Sequence, residues 1–146
     1  MRLITTGHDG EARSIVASDD LIPDQGMRTI FTTTGIGDVS AAVTRAPHID
    51  TVPASGSVSW VFVDVPPEEQ LRAALAAGVV GIDADGWHTT PTVDYVMIMN
   101  GSIFLALDTQ EIELQAGDCV VQQGTRHAWH NRTDSPVRMA CVMIRR

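Results

Sequence analysis

GWHTTPTVDYVMIMNG, residues 86–101, places His88 and Asp94 six residues apart in strand-like sequence and closes on Asn-Gly. From Val93 to Met99 the side chains are mostly apolar, and several are β-branched or aromatic, the composition of a pleated, half-buried strand. Asn100-Gly101 then supplies the two residues that a tight hairpin turn needs, because both tolerate positive φ. Side chains alternate along a strand, so a regular strand puts His88, Thr90, Thr92 and Asp94 on one face and Tyr95 on the other. Pro91 has no N–H to donate to a ladder and predicts an edge position or a bulge.

The pattern continues toward the C-terminus. SIFLAL, QEIELQ, CVVQQ, RHAWH and VRMACVMI are short runs separated by turn residues at Asp108-Thr109, AGD (116–118), Gly124 and NRTDSP. Strands of this length at 8 to 12 residue spacing argue for an all-β sandwich or barrel. Toward the N-terminus, VSWVFVDV (58–65) reads as a strand. PPEEQLRAALAAGVV (66–80) reads as the one helix of length, with Pro at its start, Glu68 and Glu69 in its first turn and Gly78 past its end. ARSIVAS and MRTIFTT read as short strands, and residues 35–57 as loops around weak strand pairing. GIGDVS lacks the third glycine and the following helix of a dinucleotide fingerprint. The expected organisation is one domain over 1–146: strands and loops in 1–65, a short helix in 66–80 and the main strand core in 86–146.

Composition narrows the function. The chain has 146 residues, 44% hydrophobic and 19% charged, with a net charge of -8. That charge, with no cluster of basic residues to offset it, argues against a nucleic-acid partner. No apolar run approaches the roughly 18 residues that span a bilayer. The opening MRLITTGHDGEARS turns polar at once, unlike a signal peptide, so the expected compartment is the cytoplasm. Cys119 and Cys141 form no CxxC and are expected as buried, reduced thiols.

Residues 86–131 resemble the cupin superfamily. Its first motif runs glycine, HxH, an acid, then glycine; its second runs glycine, PxG, histidine, asparagine. Here His88 matches the first histidine, Thr90 stands at the second, Asp94 stands where the usual glutamate does, and Gly101 follows. Gly117, Gly124, His127 and Asn131 match the second motif, with Gln123 beside Gly124 and the proline absent. The opening TTGHDGEARSIV is similar to the lead-in of small single-domain cupins. The resemblance implies a double-stranded β-helix, or jelly-roll, barrel with one short helix, and it carries His88, Asp94 and His127 over as the site.

That trio has two chemical readings. Two imidazoles and a carboxylate form a facial triad suited to Fe(II) and open to Zn, Mn or Ni, with Thr90 holding a metal-bound water. Aspartate is one methylene shorter than the usual glutamate, which works against that geometry. Without a metal, the same three groups in an apolar barrel shift one another's pKa values and serve as general acid and base. No organic cofactor is expected.

The expected activity is that of a lyase or isomerase: decarboxylation, dehydration or cyclisation of a small carbonyl or carboxylate compound. Asp94 or His127 moves the proton, His88 positions a substrate oxygen, and Thr90, Thr92 and Trp129 contact the substrate. The alternatives are an Fe(II) oxygenase and a non-catalytic small-ligand module. Cupins are commonly dimers, and an exposed edge strand favours a partner, so a homodimer is expected. Arg126, His8, His48 and His130 read as structural or surface residues, and Met97, Met99, Met139 and Met143 as core or sheet packing.

Overall fold

The computed structural model describes residues 2–21, 52–79 and 81–145. Nine strands and one helix follow in the order β1 (Arg2–His8), β2 (Ser14–Leu21), β3 (Val58–Val65), α1 (Glu68–Ala76), β4 (Val93–Ile98), β5 (Ser102–Leu107), β6 (Glu111–Gln115), β7 (Cys119–Gln123), β8 (His127–His130) and β9 (Val137–Ile144). The strands form a six-stranded sheet, β2-β1-β7-β4-β9-β3, and a three-stranded sheet, β6-β5-β8. All pairings are antiparallel except β1 with β7. This is an all-β architecture, as the strand pattern predicts, and the jelly-roll that the cupin resemblance implies. The MRTIFTT strand, much of the 35–57 loop region and His48 lie outside the described residues.

The inner faces of the two sheets close on a core that includes Ile98, Ile103, Leu105, Leu114, Val120 and Val137. Removing side chains of this size from water is the dominant favourable term in folding, about 1.5–3 kcal/mol each. Tyr95 lies on the opposite face from Asp94, as alternation predicts, and packs with Leu3, Cys119 and Val121 outside the barrel. The Asn100-Gly101 turn forms, with Gly101 at φ 67 and space so limited that a Cβ would sit 3.2 Å from Val137.

The helix is shorter than the sequence signals imply. Pro67 caps it without a side-chain hydrogen bond, and it ends at Ala76 because Gly78, at φ 89, turns the chain away. Leu71 and Leu75, four residues apart, share a face and lie against the inter-sheet space.

Two expectations are corrected here. The strand does not run back through Pro91: β4 begins at Val93, and His88 belongs to an isolated bridge instead. A proline cannot supply the ladder N–H, so the backbone leaves the sheet at that point. Met97 and Met99 are exposed rather than core, whereas Met139 is buried.

Candidate functional site

One end of the space between the sheets stays open as a cavity of about 280 Å³. Val61, Val96, Met139 and Met143 come from the large sheet, Trp129 from β8, and Leu71 and Leu75 from α1. Into this apolar enclosure project His88, Thr90, Asp94, Gln122 and His127. An apolar pocket with a few convergent polar groups is the usual form of a small-molecule site.

His88 and His127 come together through the backbone. Each N–H donates to the other's carbonyl, at 2.9 and 3.0 Å, which sets their ring centroids 4.2 Å apart. Each ring is then held by its own loop. His88 Nδ1 lies 2.9 Å from the Gly86 carbonyl, and His127 Nδ1 lies 2.9 Å from the Thr125 carbonyl. A carbonyl only accepts, so each Nδ1 carries a proton. Burial, reinforced by the neighbouring His88, lowers the His127 pKa to about 4. His127 is therefore a neutral base at pH 7.

Asp94 is buried on β4, and its Oδ1 has no hydrogen-bond partner. Burial raises its pKa; the hydroxyls of Thr92 and Thr90 and the His88 ring pull in the other direction without reversing the shift. The same cavity thus holds a depressed imidazole and an elevated carboxyl, a pairing that separates base from acid. Thr90 reaches the cavity wall as expected. Thr92 does not: it is buried away from the cavity and donates to Thr90 Oγ1 at 2.7 Å.

The remaining residues singled out from the sequence sort clearly. Trp129 lines the cavity, its ring edge-on to His127 with centroids 6.0 Å apart. Arg126 pairs with Asp108 at 2.9 Å and stacks on Trp87, outside the cavity. His130 binds Glu111 at 2.9 Å. Asn131 is a structural clamp: its amide donates to the Val65 and Ser135 carbonyls, both at 2.9 Å. Cys119 and Cys141 are buried and form no disulfide, and burial, with Asp94 nearby, pushes the Cys141 thiol up to about 12.

Gln122 escaped the reading of the sequence. It lines the cavity with its Oε1 buried and unpartnered. The available signal was a glutamine at a core-facing position of CVVQQ, two residues from buried Val120.

The metal set expected from the sequence is tested by the donor geometry. His88 and His127 present two imidazoles, but among the described residues no group of three or more His, Cys, Asp or Glu side chains converges closely enough to hold an ion. Asp94 does not close the triad. The arrangement as it stands does not fit a three-ligand centre.

Comparison with known proteins gives the family. Residues 79–143 match the family model described as cupin domain. Phomopsin biosynthesis cluster protein C′ of Diaporthe leptostromiformis is 31% identical, over 88% of this chain and 69% of that protein. The cupin-domain-containing oxidoreductase fogC of Aspergillus ruber is 26% identical, over 95% of this chain and 70% of its own. Among solved structures, a cupin-2 domain containing protein from Shewanella frigidimarina superposes with a TM-score of 0.43 and 22% identity, covering 60% of this chain and 71% of that one. The chain belongs to the cupin superfamily. Cupins often bind a metal, which makes the incomplete donor set a property of this member's own residues. Among the described residues no helix is long and apolar enough to cross a membrane.

Proposed function

We propose that this cupin is a small-molecule lyase or isomerase that works by proton transfer inside the cavity. The observation that carries the proposal is the pairing of a neutral, anchored His127 with a buried Asp94 of raised pKa in one apolar enclosure. His127 Nε2 removes a proton from a carbon beside a substrate carbonyl. Asp94 gives its proton to the carbonyl oxygen, so an enol forms with no net charge developed. For an isomerase the imidazolium gives its proton to the other carbon while the Asp94 carboxylate takes back a proton from oxygen. For a dehydratase the Asp94 proton leaves with the hydroxyl as water, and the imidazolium restores the carboxyl. His88, half-buried beside His127, positions the oxygen.

The cavity supports a neutral carbonyl compound over a carboxylate. Among the described residues no arginine lines it, and the 146 residues include no lysine. Arg138 is already paired with Asp64, at 2.7 and 2.9 Å, and so leaves no free counter-charge for an anionic substrate. The same lack of lysine removes Schiff-base chemistry from this chain's own side chains.

The test is deuterium incorporation into 2-tetralone in D2O, followed by mass spectrometry at pH 7. Exchange above the uncatalysed rate that falls at least a hundredfold in His127→Gln and Asp94→Asn is the expected result. Equal exchange by wild type and both variants would sink the proposal.

A second reading, an oxidoreductase, is favoured by the printed name of the Aspergillus ruber relative. His88 and His127 would supply two imidazoles to a redox metal, and a third donor would have to come from elsewhere. Substrate-dependent oxygen uptake that stops with chelator would put this reading first. The two buried thiols, which form no disulfide, favour a reducing, cytoplasmic setting, and a homodimer is the assembly we favour.

A further inference from the structure

Leu75 is 8% exposed, yet it does not join the packed core of the barrel. The other buried apolar side chains of the cavity wall, Val65, Val96, Met139 and Cys141, all do. Each of those sits in a strand whose ladder fixes its backbone. Their size is set by the core they fill, and changing it costs core packing whatever the ligand. Leu75 is held differently. It lies on α1, where Leu71, one turn earlier, packs against the core and seats the helix. Among the described residues α1 has one backbone hydrogen bond to the barrel, from the Glu68 N–H to the Asn131 carbonyl at 2.9 Å.

What Leu75 meets is the site. Its Cδ1 lies 3.8 Å from the place that a Cβ on Gly86 would take. Gly86 is the residue whose carbonyl anchors His88 Nδ1 at 2.9 Å, and its φ of 87 strains any larger side chain there. The wall next to the His88 anchor therefore takes its shape from Leu75. The cavity, at about 280 Å³, falls just short of the roughly 300–1,000 Å³ of pockets that hold drug-sized ligands. In so small an apolar space a few carbon atoms decide whether a substrate fits.

We propose that Leu75 is a specificity-determining residue that limits the bulk a substrate carries beside its carbonyl, at the end of the cavity next to His88. The core-filling residues fix the rest of the wall, and Leu75 is the part of it that can change without unpacking the barrel. The inference rests on the cavity being the ligand site with the substrate oxygen beside His88, as proposed above. It does not rest on the proton chemistry assigned to that site.

Matched changes in ligand and protein test it. 2-Tetralone and its 1-propyl and 3-propyl derivatives, which carry extra carbons on either side of the carbonyl, are titrated calorimetrically into the intact protein at pH 7. Wild type is expected to bind 2-tetralone at least about tenfold more tightly than either derivative. A propyl group restores the carbons that Leu75→Ala removes. That variant should therefore raise the affinity of at least one derivative, relative to 2-tetralone, by about tenfold or more. Leu75→Val should move the same ratio in the same direction by about threefold. Ala73→Gly weakens α1 from its exposed face and should leave the ratio within about twofold of wild type. Circular dichroism checks the fold of each variant, and if Leu75→Ala fails to fold, Leu75→Val decides. Wild type binding a propyl derivative as tightly as 2-tetralone overturns the inference. So does a ratio unmoved in the Leu75 variants, or one moved equally by Ala73→Gly, which would assign the effect to helix stability. If wild type binds none of the three ketones, or Trp129→Ala and His127→Gln leave every affinity unchanged, the cavity is not the ligand site and both readings fall. A ratio that moves as expected without deuterium exchange would sink the proton-transfer proposal alone.

Discussion

His127 makes the stability of this protein depend on pH in a way that can be worked out and isolated. Its folded pKa is about 4, against 6.5 for the exposed group. Above pH 6.5 both folded and unfolded states hold the ring neutral, and the residue adds no pH dependence. As pH falls below 6.5 the unfolded chain takes up the proton first, so stability is lost progressively until pH passes 4. Between pH 7.5 and 4.5 the loss comes to about 2–3 kcal/mol. Asp94 acts in the opposite sense, since a raised carboxyl pKa favours folding at low pH, so wild type alone is not diagnostic. The difference from His127→Gln is diagnostic, because the glutamine amide can still donate to the Thr125 carbonyl without titrating. Urea unfolding at both pH values, with chelator present and tryptophan fluorescence as the signal, measures it. The expected result is a wild-type loss exceeding that of the variant by about 2–3 kcal/mol. Parallel losses, within about 0.5 kcal/mol, would show that His127 is not buried as a neutral ring.

Other residues yield independent checks. Asn131 donates to two carbonyls and accepts from the Thr133 N–H and hydroxyl, so Asn131→Ala should cost roughly 2–4 kcal/mol and lower Tm by roughly 6–12 °C. A calorimetric shift under about 2 °C would contradict the clamp. With its pKa near 12, Cys141 should react with iodoacetamide at pH 8 on the order of a thousandfold more slowly in the native protein than in urea, as read by mass spectrometry. Equal rates would mean the thiol is accessible. Trp60 (72% exposed) and Phe62 (54%) lie together on the outer face of β3, the last strand of its sheet among the described residues, beside exposed Met97 across β9. An apolar patch of this kind marks an interaction surface. Light scattering should give twice the 15.7 kDa of one chain, and Phe62→Asp should return the mass to a single chain; a monomeric wild type would refute the dimer.

Much of the fold was legible because its signals are local. Gly101, Gly117 and Gly124 each take positive φ at a turn, and the runs between and after them are the strands β5 to β8. The start of α1 was legible for the same reason, in Pro67 and the two glutamates after it. The failures lie where a neighbour decides. Pro91 breaks the ladder, so parity counted back from Asp94 has no backbone to run along, and His88 reaches the site through its bridge to His127 rather than by alternation. Met97 has the composition of a core residue, but it faces outward on β4, and only the packing of a second layer over that face would bury it.

The site divides along the same line. His88, Asp94 and His127 were found because motif spacing records which positions of a barrel face inward, and all three do line the cavity. The spacing says nothing of how far apart the side chains finish, and the metal triad depends on that distance. Replacing glutamate by Asp94 withdraws the carboxylate by one methylene, and the described residues assemble no three-donor centre. Thr92 passes the same parity test and still misses the cavity, because a regular strand begins only after it. Gln122 shows the converse. Nothing along CVVQQ says what lies beside it, but the antiparallel register sets it directly against Asp94. The two unpaired acceptors thus stand together through strand pairing, whereas a motif reports positions along one strand at a time.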